Sequence, residues 1–320
     1  MPTPEQIDRF RRDVEALGGG SERLGLAVSG GPDSLALLLL AYAALAGRIE
    51  AATVDHGLRA ESAGEAALVA CVCASIGVPH AILSGRPDTG ASVQARARTL
   101  RYDLLSRWAA ERDLRLLATA HHADDQAETI LMRLARGAGL AGLAAVRARR
   151  GEGALAIVRP LLGWRCAELA ALVAAAGIEA ADDPSNRSDA YDRTRFRRLL
   201  AETDLLPPER LAAAAAHLAE AEQALAWAAE REWAARVAEE GEALTLDPSG
   251  LPPELLRRLA VRAVSQVRGE GGWRTDKLAP LLPELAAGAA VNIAGVRIAG
   301  GSAAWRFSPE PPRAIRSSTP

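Results

Sequence analysis

Between residues 23 and 160 short apolar runs alternate with longer stretches of mixed polarity. The runs at 24–28 (Leu24-Gly25-Leu26-Ala27-Val28), 49–54, 80–83, 115–119 and 155–159 have the length of buried strands, and 34–46, 61–76, 92–111 and 124–136 have the length of helices. Strand and helix alternating at this spacing predict an α/β fold, a parallel sheet with helices on both faces. Residues 163–200 read as two further helices separated by the polar loop 182–187, and Pro207-Pro208 ends the second. Beyond that point the texture changes. An Ala/Glu-rich stretch over 209–240, another over Leu251 to Val267 and a short one over Asp276 to Leu285 predict helices. The tail from Val291 to Phe307 alternates around Gly300-Gly301 like a β-hairpin, and the prolines and serines after Ser308 predict a frayed end. The pattern divides the chain into an α/β domain over 1–207, a mainly helical domain with a small β element over 208–310, and a tail over 311–320.

In a parallel sheet ligands gather at the carboxyl ends of strands. Here those ends carry Ser29-Gly30-Gly31-Pro32-Asp33-Ser34, then Asp55-His56-Gly57, then His121-His122. The first follows a strand and opens a helix, the arrangement that offers backbone N–H groups and a helix N-terminus to an anion. Glycines allow close approach and positive φ, and the two serine hydroxyls are further donors. With no Lys after it, the loop is not the phosphate loop of the common NTPases. A second glycine pattern, Gly137-Ala138-Gly139-Leu140-Ala141-Gly142, follows a helix rather than a strand, so it reads as a helix end and not as a dinucleotide site.

His121, Asp125 and Glu128 stand four and three residues apart, which puts them on one helix face. One carboxylate at a helix start is ordinarily a cap. This many polar groups at a strand end beside a phosphate loop point instead to acid–base or ion-binding chemistry. Zinc is disfavoured for this block because adjacent histidines point in different directions. Arg96, Arg98 and Arg101 precede Tyr102, and Arg193, Arg195, Arg197 and Arg198 crowd between Tyr191 and Phe196. Guanidinium groups beside rings suit phosphate and base contacts, although a solvated helix face is the plainer reading.

The net charge of −2 means that any nucleic-acid binding relies on local patches rather than bulk attraction. Three cysteines, Cys71, Cys73 and Cys166, form no C-x-x-C pair, which fits a reducing compartment and excludes a disulfide framework. The apolar run 35–45 has the length of a core helix, not of a membrane span, so a soluble cytoplasmic protein with no membrane partner is expected.

SGGPDS resembles the pyrophosphate loop of the N-type ATP pyrophosphatases. Together with Asp55-His56-Gly57-Leu58-Arg59, Arg98-x-x-Arg101-Tyr102, the block from His121 to Thr129, Arg159-Pro160-Leu161-Leu162 and Asp183-Pro184-Ser185-Asn186, it resembles the tRNA(Ile)-lysidine synthetases over about residues 20–200. The resemblance implies that 1–207 is an ATP pyrophosphatase domain and 208–310 a tRNA-binding one. It implies adenylation of the wobble cytidine of an isoleucine tRNA with a CAU anticodon, using ATP and Mg²⁺, and then displacement of AMP by free L-lysine. It further implies that Ser29, Gly30, Gly31, Pro32, Asp33, Ser34, Asp55 and His56 hold ATP and that Asp33 holds the metal. Asp125 and Glu128 then hold the lysine ammonium, and one of them or His121 accepts its proton, so that Asp33, His121, Asp125 and Glu128 are the catalytic residues; Arg101, Arg193, Arg195 and Arg197 contact tRNA. The family's Arg-Asn-x-Ile-Arg appears here as Arg193-Thr194-Arg195-Phe196-Arg197. A PP-loop tRNA thiolase is the alternative, disfavoured by the lack of cysteine pairs. The assembly stays open, a homodimer included.

Overall fold

The computed structural model describes residues 1–57, 62–86, 93–152, 154–181 and 192–310. The expected loop at 182–187, the Asp183-Pro184-Ser185-Asn186 block, Tyr191 and the tail over 311–320 lie outside them. Two compact units are present, Met1–Ala219 and Glu220–Pro320.

The first unit runs α1 (Pro4–Ala16), β1 (Leu24–Ala27), α2 (Pro32–Ala44), β2 (Ile49–Asp55), α3 (Ser62–Ile76), β3 (His80–Ser84), α4 (Val93–Glu111), β4 (Leu116–Ala118), α5 (Ala123–Ala135), α6 (Leu140–Leu143), β5 (Arg149–Glu152), β6 (Leu155–Val158), α7 (Cys166–Ala175) and α8 (Asp192–Glu202). Helix α9 (Pro208–Arg236) follows, and the division between the units falls within it. The strands order β3-β2-β1-β4-β6-β5, parallel except where β5 pairs antiparallel with β6. The order reverses between β1 and β4, so the chain after these two strands flanks the crevice where α/β folds bind ligands.

Side chains alternate across the sheet as the pleat requires. Leu24, Leu26, Ala51, Leu116 and Ala118 face a core with α1, α2, α3 and α7, while Ala52, Leu117 and Leu155 face a second core with Leu105, Trp108 and Ala109 of α4. Helix α2 is apolar all round, and its residues 34–41 are buried without a break, which makes it a rigid base for whatever its N-terminus holds. Gly25 is needed for packing: a Cβ there would stand 3.0 Å from the Trp108 ring.

In the second unit β7 (Val237–Glu240), β8 (Ala243–Leu246), α10 (Pro253–Arg268), α11 (Leu282–Ala286), β9 (Ala290–Ile293), β10 (Val296–Ala299) and β11 (Trp305–Pro309) build an antiparallel sheet of order β7-β8-β11-β10-β9. The apolar stripe of α10, with Leu255, Leu259, Ala260, Ala263 and Val264, is buried; Leu259, Ala260, Ala263 and Val264 join Leu246, Ile298, Trp305 and Phe307 in one core.

Several expectations change. The amphipathic α1, closed by a Thr3–Gln6 capping box, and the edge strand β5 were not anticipated. The helix expected over 209–240 stops at Arg236, because the chain turns at Gly241 into the β7–β8 hairpin. Prolines 280 and 283 break 276–285 into two 3₁₀ turns and the short α11. The tail does form a hairpin around Gly300-Gly301, β10 pairing antiparallel with β11, and it carries one strand more than expected: β9, which turns into β10 at Ala294-Gly295. Gly300 also packs against Leu285, whose carbonyl oxygen would lie 2.1 Å from an added Cβ. Among the described residues no helix is long and apolar enough to cross a membrane.

Candidate active site

A pocket of about 740 Å³ opens in the first unit over the β1–β4 crevice, within the range of small-molecule sites. On one side the chain leaves β1 through Ser29 to Ser34. Gly30 takes φ +89°, and a Cβ there would stand 3.3 Å from the Glu65 carbonyl oxygen, so the loop needs glycine on both counts. Gly31 caps α2 without any side-chain bond, which leaves the first N–H groups of the helix available to an anion. Ser34 is buried; its hydroxyl accepts from Ser29 N at 3.1 Å and donates to the Gly31 carbonyl at 2.9 Å, so it braces the loop. Ser29, Gly31, Pro32, Asp33 and Ser34 all line the pocket. The expected nucleotide residues at the end of β2 divide. His56 lines the pocket, whereas Asp55 accepts from Ser62 Oγ (2.6 Å) and Gly57 N (3.0 Å) and holds the turn into α3. Those bonds keep its carboxyl below the usual range.

On the other side β4 delivers His121 and His122. The rings do point apart, as adjacency requires. Nδ1 of His121 meets Thr119 Oγ1 at 3.0 Å, and His122 turns toward carboxylates: Nε2 stands 3.5 Å from Asp33 and 3.6 Å from Asp125, Nδ1 3.6 Å from Asp124. Their protonation is driven in opposite directions. Burial, with the charges of Arg159, Arg98 and Arg193, pulls the pKa of His121 down to about 4 against the field of Asp125. Burial also disfavours charge on His122, but bonds with Asp33 and Cys166 and the charges of Asp125 and Asp33 push it up to about 11. His121 is thus a neutral imidazole and His122 an imidazolium at neutral pH. As a cation, His122 cannot accept from Asp125 N, 3.4 Å from its Nδ1, so the cap of α5 rests on the reciprocal bond from His122 N to Asp125 Oδ2 at 3.1 Å.

Helix α5 then presents Asp124, Asp125 and Glu128, each met by a cation. Arg165 takes Asp124 through Nε and Nη2, Arg193 takes Asp125 at 3.2 Å, and Nε of Arg193 and of Arg197 each sit 2.6 Å from Glu128, which is 1 % exposed. The residues expected to hold lysine and those expected to hold tRNA are therefore paired with one another. Of the four expected tRNA arginines, Arg101 of α4 lines the central pocket, and the three of α8 separate by helical phase: Arg193 and Arg197 line that pocket, while Arg195 lines a second cleft of about 410 Å³ with Arg136 and Phe196. Arg101 keeps an exposed side chain, yet the protein packed around it at the pocket desolvates the guanidinium and lowers its pKa.

Among the pocket residues given no role from sequence are four that carry its charge and donor chemistry: His122, Asp124, Arg165 and Cys166. The first two lie inside the block that drew attention, but nothing along the chain connects them to positions 165 and 166. Cys166 N donates to Asp124 at 2.8 Å and its Sγ lies 3.7 Å from Asp33.

Residues 4–203 match the PP-loop domain family. The chain is similar to the tRNA(Ile)-lysidine synthase of Zymomonas mobilis, with 48% identity over 92% of this chain and 90% of that one. It is equally similar to the tRNA(Ile)-lysidine synthase of Novosphingobium aromaticivorans, with 48% identity over 95% and 93% of the two chains. Among solved structures, the U34-tRNA thiolase NcsA of Methanococcus maripaludis with its [4Fe-4S] cluster superposes with a TM-score of 0.55 at 18% identity, over 66% of this chain and 76% of that one, a likeness of fold.

Proposed function

Because this chain belongs to the PP-loop family and, within it, to the tRNA(Ile)-lysidine synthases, we propose that its central pocket is where both halves of lysidine synthesis take place. The protein is a ligase that uses ATP to join free lysine to the 2-position of the wobble cytidine of an isoleucine tRNA with a CAU anticodon. The cytidine 2-oxygen attacks the α-phosphorus and pyrophosphate leaves. The lysine ε-amine then attacks C2, AMP leaves with that oxygen, and the amine loses a proton.

One observation carries the assignment of residues: the uncapped N-terminus of α2 and the carboxylates of α5 open into the same pocket. The α2 amides and Ser29 would meet the phosphates, whose charge grows as the bond to pyrophosphate breaks. Asp33, a hard oxygen donor at that helix start with its side chain 32% exposed, fits Mg²⁺, which takes one or two carboxylates together with phosphate oxygens and would offset phosphate charge there. His121, held neutral, can accept the lysine proton at Nε2 when Thr119 accepts from its Nδ1–H. Asp125 and Glu128 would receive the lysine ammonium, which must take over contacts now made by Arg193 and Arg197. Those two guanidiniums would turn to tRNA phosphate as it does so. A thiolase reading needs clustered cysteines, and of the three here Cys166 alone lines the pocket. The domain roles of 1–207 and 208–310, and a cytoplasmic site of action, belong to the same reading.

The test is direct. Purified protein with ATP, Mg²⁺, tRNA and radiolabelled lysine should transfer label to isoleucine tRNA and release one AMP per lysine; label-free tRNA under these conditions would refute it.

A further inference from the structure

We propose that Asp33, His122 and Cys166 form a built-in site for a divalent cation of the zinc class, and that filling it shuts off adenylation. The three come from separate elements, the first turn of α2, the N-cap of α5 and the first residue of α7, and one ligand atom from each lies within 4.8 Å of the others. Nε2 of His122 is 3.5 Å from Asp33 Oδ2, and Sγ of Cys166 is 3.7 Å from Asp33 Oδ1. Ligand atoms about 2.0–2.3 Å from a tetrahedral ion stand about 3.3–3.8 Å from each other. The two distances above run to different oxygens of Asp33, so a small turn of that carboxylate, within a set already inside 4.8 Å, closes the three on one ion. Nδ1 of His122 faces Asp124, and Asp124 is held in turn by Arg165 and Cys166 N. At 3.6 Å Asp124 stands beside that nitrogen and would supply the carboxylate–histidine support of zinc centres once drawn into hydrogen-bond range. All three donors line the pocket, so the fourth position opens to water.

The donor set selects the cation. Imidazole and thiolate suit zinc-class ions and are poor partners for Mg²⁺. Binding displaces the protons on Nε2 and Sγ, leaving an imidazole and a thiolate on the ion. The shut-off rests on the reading above, in which Asp33 serves Mg²⁺ and the phosphates: a carboxylate ligated between His122 and Cys166 is withdrawn from that role.

The full chain, stripped with a chelator, is titrated with Co²⁺ in the absence of ATP, tRNA and lysine, and then with Zn²⁺. One equivalent of Co²⁺ should give the visible bands of a tetrahedral ion and a near-ultraviolet thiolate-to-cobalt band, all removed by Zn²⁺. Cys166→Ser should lose the thiolate band and bind Zn²⁺ at least tenfold more weakly, His122→Asn should weaken it similarly, and Cys71→Ser should keep both. Within each protein, the ratio of pyrophosphate release with and without Zn²⁺ should fall at least tenfold for the unmutated chain and stay near one for Cys166→Ser. No thiolate band, or one that survives in Cys166→Ser, overturns the site. Bound Zn²⁺ with pyrophosphate release intact overturns the shut-off. Because metal binding is read without substrates, a chain that takes Co²⁺ as described but never ligates lysine supports the site and faults only the reaction.

Discussion

Nε of Arg193 lies 2.6 Å from Oε2 of Glu128, so a half-exposed guanidinium from α8 closes over a carboxylate that is almost entirely buried. A buried carboxylate needs such a partner, and Glu128 has two. Any cation that binds Glu128 must compete with α8, which couples the seating of that helix to occupancy of the pocket.

Glu128→Gln tests the coupling. Removing a charge-assisted bond costs about 1.5–3 kcal/mol, which predicts a rise of about tenfold to a hundredfold in the lysine KM while ATP-dependent pyrophosphate release persists. An unchanged lysine KM with a lowered melting temperature would make Glu128 an anchor for α8 and nothing more.

Arg195 and Arg197 should part company, since only Arg197 contacts the α5 carboxylates. Arg197→Ala is expected to change the lysine KM. Arg195→Ala should leave it alone, weaken tRNA binding and lower the slope of affinity against salt by about one. Filter binding across a salt series, with lysine kinetics alongside, checks both.

Asp33→Asn should preserve the fold and slow pyrophosphate release by about a hundredfold, the usual cost of one well-placed group at a developing charge. Near-normal release would remove Asp33 from the machinery.

The two histidines predict opposite pH dependences. Because the pKa of His121 falls to about 4 from an ordinary 6.5, the unfolded chain binds more protons in that window, and stability drops as the pH falls through it. For His122, raised to about 11, the contribution is complete below 6.5 and is lost as the pH rises toward 11. Melting temperature against pH should therefore lose part of its acid slope in His121→Asn. The cost of His122→Gln should be greatest below 6.5 and shrink on the alkaline side. Parallel curves for both variants would contradict the assigned charges.

Gly30→Ala forces a Cβ into a left-handed turn 3.3 Å from the Glu65 carbonyl. It should cost about 1–2 kcal/mol from the backbone alone and weaken ATP binding more than it lowers the melting temperature, read by calorimetry.

The sequence by itself determined whatever depends on local period and order: strand and helix alternation, the glycine loop between β1 and α2, and the α5 block at the end of β4. Topology followed, because alternating elements of this length pack in few ways. The second unit was less legible. The hairpin around Gly300-Gly301 could be read from its alternation, but the β7–β8 hairpin and the added strand β9 are short antiparallel pairings decided by packing in the second core, not by local preference. Within the site, the tertiary structure decided which charges meet. The i, i+4 spacing of Arg193 and Arg197 already separates them from Arg195, but only the packing of α8 on α5 turns them onto Glu128. Likewise no spacing along the chain joins positions 33, 122 and 166. They meet because the sheet brings the starts of α2, α5 and α7 to one edge, where side chains far apart in sequence share one low-dielectric pocket and set each other's charge.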